Sequence, residues 1–164
     1  MRARGINYEI LAPLSFLRRS LLVNGHEEAV VYHDKRYTYS EFLSRVFRLA
    51  SALLDAGIGE GDKVAFICPN SPPLLEAHFA VPMIGAVLVG INIRFSPEEV
   101  ARIMKHSDPK ALFVDSEFAP LVSSCLDDLA NLRTIVNICD TSEERFLGGP
   151  EYEEFLFEHR TRMC

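Results

Sequence analysis

Histidine is the side chain best suited to acid–base catalysis near neutral pH. The five histidines are scattered along the chain, and His78 alone lies within a strongly apolar segment. A catalytic base needs a partner that orients its ring, but Glu76 is too close in number to share its helix face. His78 is therefore either a base whose partner the sequence does not identify or a packing residue with a satisfied ring nitrogen. No Gly-x-Ser-x-Gly nucleophile motif occurs.

The glycine-rich run Gly57–Gly61 has the composition of a phosphate-binding loop. Such a loop follows a strand and opens a helix, so that helix N–H groups face the phosphate. Here a helical pattern precedes the run, a strand pattern follows it, and no Gly-Lys-Ser/Thr sequence is present. We therefore interpret the glycines as a helix end and a turn.

Metal binding has no support in the acidic residues or the cysteines. The doublets Glu27-Glu28, Asp127-Asp128 and Glu143-Glu144 lack a supporting histidine or further carboxylate, which favours a solvated surface. The four cysteines have neither CxxC spacing nor a histidine in a zinc pattern. Cys68 and Cys125 lie in apolar runs and are predicted to be buried thiols in a reducing compartment.

Polar residues follow two predicted strands, at Pro69-Asn70 and at Asn92-Ile93-Arg94. In open α/β sheets, ligands collect outside the carboxyl ends of the strands, so both segments are candidates for a binding site. The alternative is that Asn92 and Arg94 only fix the turn that leads to the next helix. Pro69-Asn70 has the same two interpretations.

These candidates must be positioned by the elements around them, which begin with a helix and a hairpin. The pattern predicts a helix at Leu14–Val23 and a hairpin of Ala29–Tyr32 with Arg36–Tyr39. Ser40 is predicted to cap a second helix that ends near Gly57. The apolar face of that helix recurs at helical spacing, at Phe42, Val46, Leu49, Ala50 and Leu53.

Beyond Gly57 the pattern alternates between strands and helices. Continuous apolar runs predict buried parallel strands at Lys63–Cys68, Ala111–Val114 and Thr134–Ile138. Residues 79–91 are interpreted as a buried helix, kinked or ended by Pro82, that passes into a buried strand. The fold class is therefore α/β, with a mostly parallel sheet flanked by helices and a small N-terminal hairpin.

Two helices follow in the second half of the chain. Ser96 and Glu99 form a capping box at the start of one, with Pro97 at its first position. The next helix is predicted from an apolar face of Leu121, Val122, Cys125, Leu126 and Leu129, and a last short helix from Tyr152 to Phe157.

Charge and hydropathy disfavour nucleic-acid binding and a membrane-spanning helix. The net charge is −6, from 23 acidic and 17 basic residues, and no basic run occurs, which disfavours nucleic-acid binding. The longest apolar stretch, residues 79–91, is too short to span a bilayer and contains Pro82, so no membrane span is predicted.

Residues 57–94, GIGEGDKVAFICPNSPPLLEAHFAVPMIGAVLVGINIR, resemble the opening segment of the AMP-forming acyl-activating enzymes, the acyl-CoA synthetase and ligase superfamily. Tyr37–Glu41 resembles that family's hairpin-to-helix element. His78–Met83 and Gly90–Arg94 are most similar to the plant acyl-activating branch, near benzoate– and short-chain acyl–CoA ligases. The resemblance covers about residues 5–140.

The resemblance implies part of the N-terminal domain of the adenylate-forming ligase fold, with a subdomain at 1–140 and an irregular, truncated tail at 141–164. The complete family fold uses ATP, Mg²⁺ and CoA to convert a carboxylate to an acyl-adenylate and then to an acyl-CoA. Its Ser/Thr/Gly-rich phosphate loop, later nucleotide-binding motifs and catalytic lysine have no counterpart in this sequence, because Gly148-Gly149-Pro150 lacks the hydroxyls and the lysine. We therefore predict no catalytic, cofactor-binding or metal-binding residue in the chain, no cofactor bound by it, and no activity of the chain alone.

An alternative function is a non-catalytic interaction module that pairs with a full-length relative. Self-association is also expected through apolar surface left uncovered near the end of the chain, at Val136, Ile138, Phe155 and Phe157. The cytoplasm is the expected compartment, because Arg162-Met163-Cys164 is not a peroxisomal address, and the peroxisome is the alternative for full-length relatives.

Overall fold

The computed structural model describes residues 12–140 and 147–158, and the chain divides into two compact units at 1–43 and 44–164. The boundary expected at residue 140 stays a prediction. The helices and strands, in chain order, are α1 (Pro13–Asn24), β1 (Glu28–Tyr32), β2 (Lys35–Thr38), α2 (Tyr39–Asp55), β3 (Lys63–Ile67), α3 (Pro72–Met83), β4 (Val87–Gly90), α4 (Pro97–Ser107), β5 (Ala111–Asp115), α5 (Ala119–Val122), β6 (Thr134–Ile138) and α6 (Tyr152–Glu158).

The first unit contains the predicted helix and hairpin, in which β1 and β2 pair antiparallel. The cap predicted for α2 at Ser40 is wrong, since the helix begins at Tyr39, two residues earlier than that cap implies. Thr38 Oγ1 accepts from the backbone N–H of Glu41, and Glu41 Oε2 accepts from that of Thr38, at 3.2 and 2.8 Å. The capping box therefore starts at Thr38. The Ser40 hydroxyl instead donates to the carbonyl of Gly25 at 2.8 Å.

The second unit is built on a four-stranded sheet in the order β4-β3-β5-β6, with every pair parallel. This confirms the α/β prediction and its three buried parallel strands. One face of the sheet packs on a cluster that includes Val100 and Met104 of α4. On the other face, Phe66 and Phe113 stack with ring centroids 4.4 Å apart, and Tyr152 and Phe155 of α6 meet Phe113 edge-on. Helices thus cover both faces.

Helix ends agree with the sequence at three places. The Ser96–Glu99 capping box has both of its reciprocal hydrogen bonds, at 2.9 and 3.3 Å. Helix α3 ends at Met83, one residue after Pro82. Gly57 follows α2 with φ of 78°, a left-handed conformation that glycine adopts without a Cβ clash.

The continuous helix predicted around Leu121–Leu129 is wrong. The segment forms two 3₁₀ turns, at Ser116–Phe118 and Leu126–Asp128, around the single turn of α5. Pro120 has no N–H to continue the preceding turn, and a new helix starts at Ala119 with Pro120 in its first turn. The Ser123 hydroxyl then donates to the Pro120 carbonyl at 3.1 Å, which competes with helix continuation.

The strand at 87–90 is only half-buried, whereas we expected a buried strand. Strand β4 is an outer strand of the sheet, and Val87 is 49% exposed. The apolar pattern alone does not distinguish an outer strand from a central one.

The prediction of exposed apolar residues near the end of the chain is wrong for three of four side chains. Val136, Ile138 and Phe155 are buried, because α6 and residues 147–151 lie against β6 and the sheet. Phe157 is exposed as expected.

Candidate functional site

A cleft lies at the carboxyl edge of the sheet, where β3 and β4 end. Its volume is about 410 Å³, and both predicted polar segments contribute to it. The residues that line it are Phe66, Cys68, Pro69, Asn70, Leu74, Gly90, Ile91, Asn92 and Ile93. The structure therefore brings Asn70 and Asn92 to one cleft, as the ligand rule for parallel sheets suggests.

Asn92 also fixes the turn after β4. Its Oδ1 accepts from the backbone N–H of Arg94 at 2.9 Å, and its carbonyl accepts from the N–H of Phe95 at 3.2 Å. The turn interpretation is therefore confirmed for Asn92. Arg94 is exposed and is not among the residues lining the cleft.

Three buried polar atoms lie near the carboxyl ends of β3 and β5 without a hydrogen-bond partner in the described part of the chain. They are Ser71 Oγ, Asp115 Oδ2 and Ser116 Oγ. The other oxygen of Asp115 accepts from the backbone N–H of Glu117 at 3.0 Å. Burial raises the pKa of Asp115, the hydrogen bond from Glu117 offsets part of that rise, and the nearby Asp140 adds to it. An unpaired buried polar atom costs free energy, so this cluster is an unsatisfied part of the sheet edge.

Cys68 lines the cleft and lies near Asp115. Burial raises the pKa of its thiol to about 12, and the nearby Asp115 carboxylate adds to the rise. A thiol with that pKa is protonated at neutral pH, and only the thiolate is a strong nucleophile. Cys68 is buried as predicted, and it is not poised for nucleophilic chemistry.

The segment Gly148-Gly149-Pro150 does not fit a phosphate cradle. It lies against β6, where Asn137 Nδ2 donates to the Gly148 carbonyl at 3.0 Å and the Asn137 N–H donates to that of Pro150 at 2.9 Å. Gly149 has φ of 83°, and a Cβ there would lie 2.1 Å from the carbonyl oxygen of Ile135. These glycines therefore serve a close backbone approach.

The Gly57–Gly61 run is a turn, as predicted, at the opposite edge of the sheet. The Gly59 N–H donates to Asp62 Oδ2 at 2.9 Å, and Lys110 pairs with Asp62 Oδ1 at 2.6 Å. The bond to Lys110, together with the Gly59 N–H, lowers the pKa of Asp62. The Asp62 carboxylate therefore links the turn at Gly59 to Lys110, the residue before β5.

His78 is exposed, so the packing interpretation is wrong about its burial. Its Nδ1 lies 2.8 Å from the Leu74 carbonyl of its own helix, which satisfies that ring nitrogen. Among the described residues, no carboxylate is found in contact with the His78 ring. Residues 12–140 and 147–158 also contain no group of three or more His, Cys, Asp or Glu side chains placed to hold a metal ion.

A buried ionic cluster around Glu76 is not predictable from the sequence. Glu76 on α3 is fully buried, and its two oxygens are 2.6 Å from Arg45 Nε and from the Tyr152 hydroxyl, which donate to them. Arg45 also donates to both oxygens of Glu153. Burial raises the pKa of Glu76, with Arg45 opposing the rise. The only signal in the sequence is a single carboxylate within the apolar run of α3.

Comparisons with known proteins assign this architecture to a family. The family model described as AMP-binding enzyme matches residues 17–156.

The chain belongs to the AMP-binding enzyme family.

Two plant proteins show how much of an AMP-binding enzyme the chain represents. It is 40% identical over 153 residues to probable acyl-activating enzyme 21 of Arabidopsis thaliana, a match that covers 92% of this chain and 28% of that protein. It is 44% identical over 120 residues to the peroxisomal acetate/butyrate–CoA ligase AAE7 of the same plant, covering 73% of this chain and 21% of that protein. The chain therefore spans less than a third of each relative.

A solved structure of an AMP-binding enzyme has the same fold over this region. The crystal structure of the anthranilate CoA ligase AuaEII in complex with anthranoyl-AMP aligns with a TM-score of 0.81 and 25% identity, over 89% of this chain and 28% of that chain. The family that the resemblance over about residues 5–140 indicates, and the fold that it implies, are both confirmed.

Proposed function

We propose that this chain is the N-terminal part of an ATP-dependent, AMP-forming carboxylate–CoA ligase. The observation that carries the proposal is the family match over residues 17–156, and similarity to a ligase structure that holds an acyl-adenylate supports it. In such a reaction a carboxylate oxygen attacks the α-phosphorus of ATP and pyrophosphate leaves. The CoA sulfur then attacks the acyl carbon and AMP leaves.

In this proposal the chain supplies scaffold rather than reacting groups. The transfer needs donors around the phosphates and a cationic group for the developing negative charge. The described glycine-rich segment at 148–150 is hydrogen-bonded to β6 and is not a phosphate loop. The raised pKa of Cys68 keeps its thiol protonated at neutral pH. The Asp62–Lys110 ion pair lies at the opposite edge of the sheet from the cleft. We infer that ATP, Mg²⁺ and CoA act in the complete family fold and that the 164-residue chain alone does not adenylate carboxylates.

A chimera tests the scaffold function. Residues 17–156 would replace the matching segment of the acetate/butyrate–CoA ligase, with the parent ligase as the positive control. We expect butyrate-dependent ATP–pyrophosphate exchange from the chimera. A chimera that folds, as judged by circular dichroism and a cooperative thermal transition, yet gives no exchange would contradict the ligase proposal.

The purified 164-residue chain tests the inactivity separately, with a panel of aromatic and short-chain acids. We expect exchange at the level of a blank without protein. Exchange that follows the chain through purification would overturn the claim of inactivity and leave the ligase assignment standing.

The exposed β4 strand favours a second candidate function, a non-catalytic module that pairs with a full-length relative. Co-purification of this chain with a tagged relative checks it, with a Val87→Lys variant as the control. Binding that the variant retains unchanged would remove the argument from β4.

The compartment stays a proposal. We propose the cytoplasm, with the peroxisome as the alternative, because the butyrate–CoA and acetate/butyrate–CoA ligases of Arabidopsis thaliana are both named as peroxisomal. Imaging of a fluorescent fusion, with a peroxisomal marker, distinguishes them. Separately, none of the described helices is long and apolar enough to cross a membrane.

A further inference from the structure

The outer side of β4 presents unpaired backbone groups. The Val87 N–H donates to the Asp62 carbonyl at 2.8 Å, and the Ile91 N–H donates to that of Phe66 at 2.9 Å. Because bonding alternates along a parallel ladder, the N–H and C=O groups of Leu88 and Gly90 point away from β3. No strand within 12–140 or 147–158 pairs with that side of β4.

Strand β4 also lacks the features that protect exposed strands from pairing. Its sequence, Val-Leu-Val-Gly, has no charged residue or proline, and its register with β3 has no bulge. The opposite outer strand differs, because residues 147–151 run beside β6 and accept or donate hydrogen bonds through Asn137. An unprotected apolar strand of this kind is a template for strand addition.

A groove runs beside β4 along helix α4. Its volume is about 590 Å³, and it combines apolar side chains with polar ones that recur at intervals of about one turn of α4. The residues that line it are Val89, Phe95, Glu99, Arg102, Ile103, His106 and Ser107.

We propose that the β4 strand and the α4 groove bind a second copy of this chain in a two-fold symmetric dimer. A two-fold axis perpendicular to the sheet pairs β4 antiparallel with its copy and joins the two sheets into one. The same axis places both α4 helices on one face of the joined sheet, side by side and antiparallel. Each copy then covers the apolar groove of the other.

The charges on α4 fit that arrangement. Glu98 and Glu99 lie in its first turn, and Lys105 and His106 lie in its last turn. In an antiparallel pair the acidic start of one helix lies beside the basic end of the other. Arg102, which is exposed in the groove, can then face Glu99 of the second copy, and by symmetry Arg102 of the second copy can face Glu99 of the first. Self-complementary charge favours a second copy over an unrelated strand.

Sedimentation of the 164-residue chain over a wide range of concentration tests the proposal, which does not depend on the ligase function. We expect a monomer–dimer equilibrium. Val87→Lys should raise the dissociation constant roughly tenfold or more, because the lysine ammonium would lose water where the two β4 strands join. Leu22→Lys is the matched control, since Leu22 is 85% exposed on α1, and it should leave the constant unchanged.

Amide hydrogen exchange locates the interface. The N–H groups of Leu88 and Gly90 should exchange more slowly as the concentration of the chain rises. If Val87→Lys unfolds the protein, Arg102→Glu on the exposed side of α4 replaces it and should also weaken the dimer. A chain that is monomeric at all concentrations, or a dimer that keeps its affinity in Val87→Lys or leaves the two amides unprotected, overturns the proposal.

Discussion

Two buried polar clusters in the second unit differ in how completely their hydrogen bonds are made. Around Glu76, both carboxylate oxygens accept from a donor, and the guanidinium that serves one of them also binds Glu153. Around Asp115, one carboxylate oxygen and the hydroxyls of Ser71 and Ser116 have no partner in the described part of the chain. A cluster whose hydrogen bonds are all made stabilises the helices that contribute to it. A cluster with unpaired groups lowers the stability of the fold, so substitutions that remove those groups need not destabilise the protein.

The largest effect on stability is expected when the cation is removed from the cluster around Glu76. Arg45→Met should lower the free energy of unfolding by about 3–5 kcal/mol, because it leaves the Glu76 carboxylate buried without its ion-pair partner. Chemical denaturation measures the change. Glu153→Gln is the control, since Glu153 is mostly exposed and its loss should cost about 0–1 kcal/mol. Equal effects of the two substitutions would contradict the importance assigned to Glu76.

A smaller change removes one donor from the same carboxylate. Tyr152→Phe keeps the ring that meets Phe113 and deletes the hydroxyl 2.6 Å from Glu76. We expect a loss of about 1–3 kcal/mol in the free energy of unfolding, since a buried acceptor is left with one bond fewer. A thermal midpoint equal to that of the original chain would show that the hydroxyl contributes nothing.

The unsatisfied cluster should respond in the opposite direction. Asp115→Asn keeps an oxygen for the Glu117 N–H and removes the buried negative charge, so we expect a gain of up to about 1 kcal/mol at neutral pH. The pKa of Asp115 is raised in the folded chain, chiefly by burial. Its penalty is therefore absent at pH below the ordinary carboxyl pKa and appears as pH rises through the raised pKa. Stability curves from acid to neutral pH should show the variant's advantage only at the higher pH, and an advantage of equal size in acid would refute the mechanism.

The smallest effect is expected at Ser71. Its buried hydroxyl has no partner of good geometry in the described residues and interacts only weakly with the Cys68 thiol, so Ser71→Ala removes at most a weak bond. The free energy of unfolding should change by less than about 0.5 kcal/mol, in either direction. Ser96→Ala is the matched control at a serine whose hydroxyl caps α4, and it should cost about 1 kcal/mol. A larger loss at Ser71 than at Ser96 would reverse the comparison.

The sequence predicts the sheet well because each central strand is a short apolar run between turn residues. It predicts the α4 cap because the two residues of the box are local in sequence. It fails at Thr38 because Ser40 two residues later is an equally good capping residue by type. It also fails at Glu76, whose partners lie 31 and 76 residues away and depend on how the helices pack.

The location of the candidate cleft could be predicted from the sequence, whereas the polar residues buried beside it could not. Asn70 and Asn92 follow strands that proved to be neighbours, so their meeting follows from parallel topology. The burial of Asp115 and Ser116 was not predictable, because β5 looks the same in sequence whether or not its last residues reach solvent. The exposure of β4 has the same origin, since strand order is a property of the assembled sheet.

The hydrogen bond between Tyr152 and Glu76 gives the protein a built-in optical reporter. The sequence contains five tyrosines and no tryptophan, so near-ultraviolet absorption arises chiefly from phenol rings. Burial holds the pKa of the Tyr152 phenol well above its ordinary value, and the Glu76 carboxylate holds it higher still. Tyr152 therefore stays a phenol in alkaline solution until α6 leaves the sheet. The additional phenolate absorption that appears on unfolding then reports undocking of this one helix, without any added dye or label.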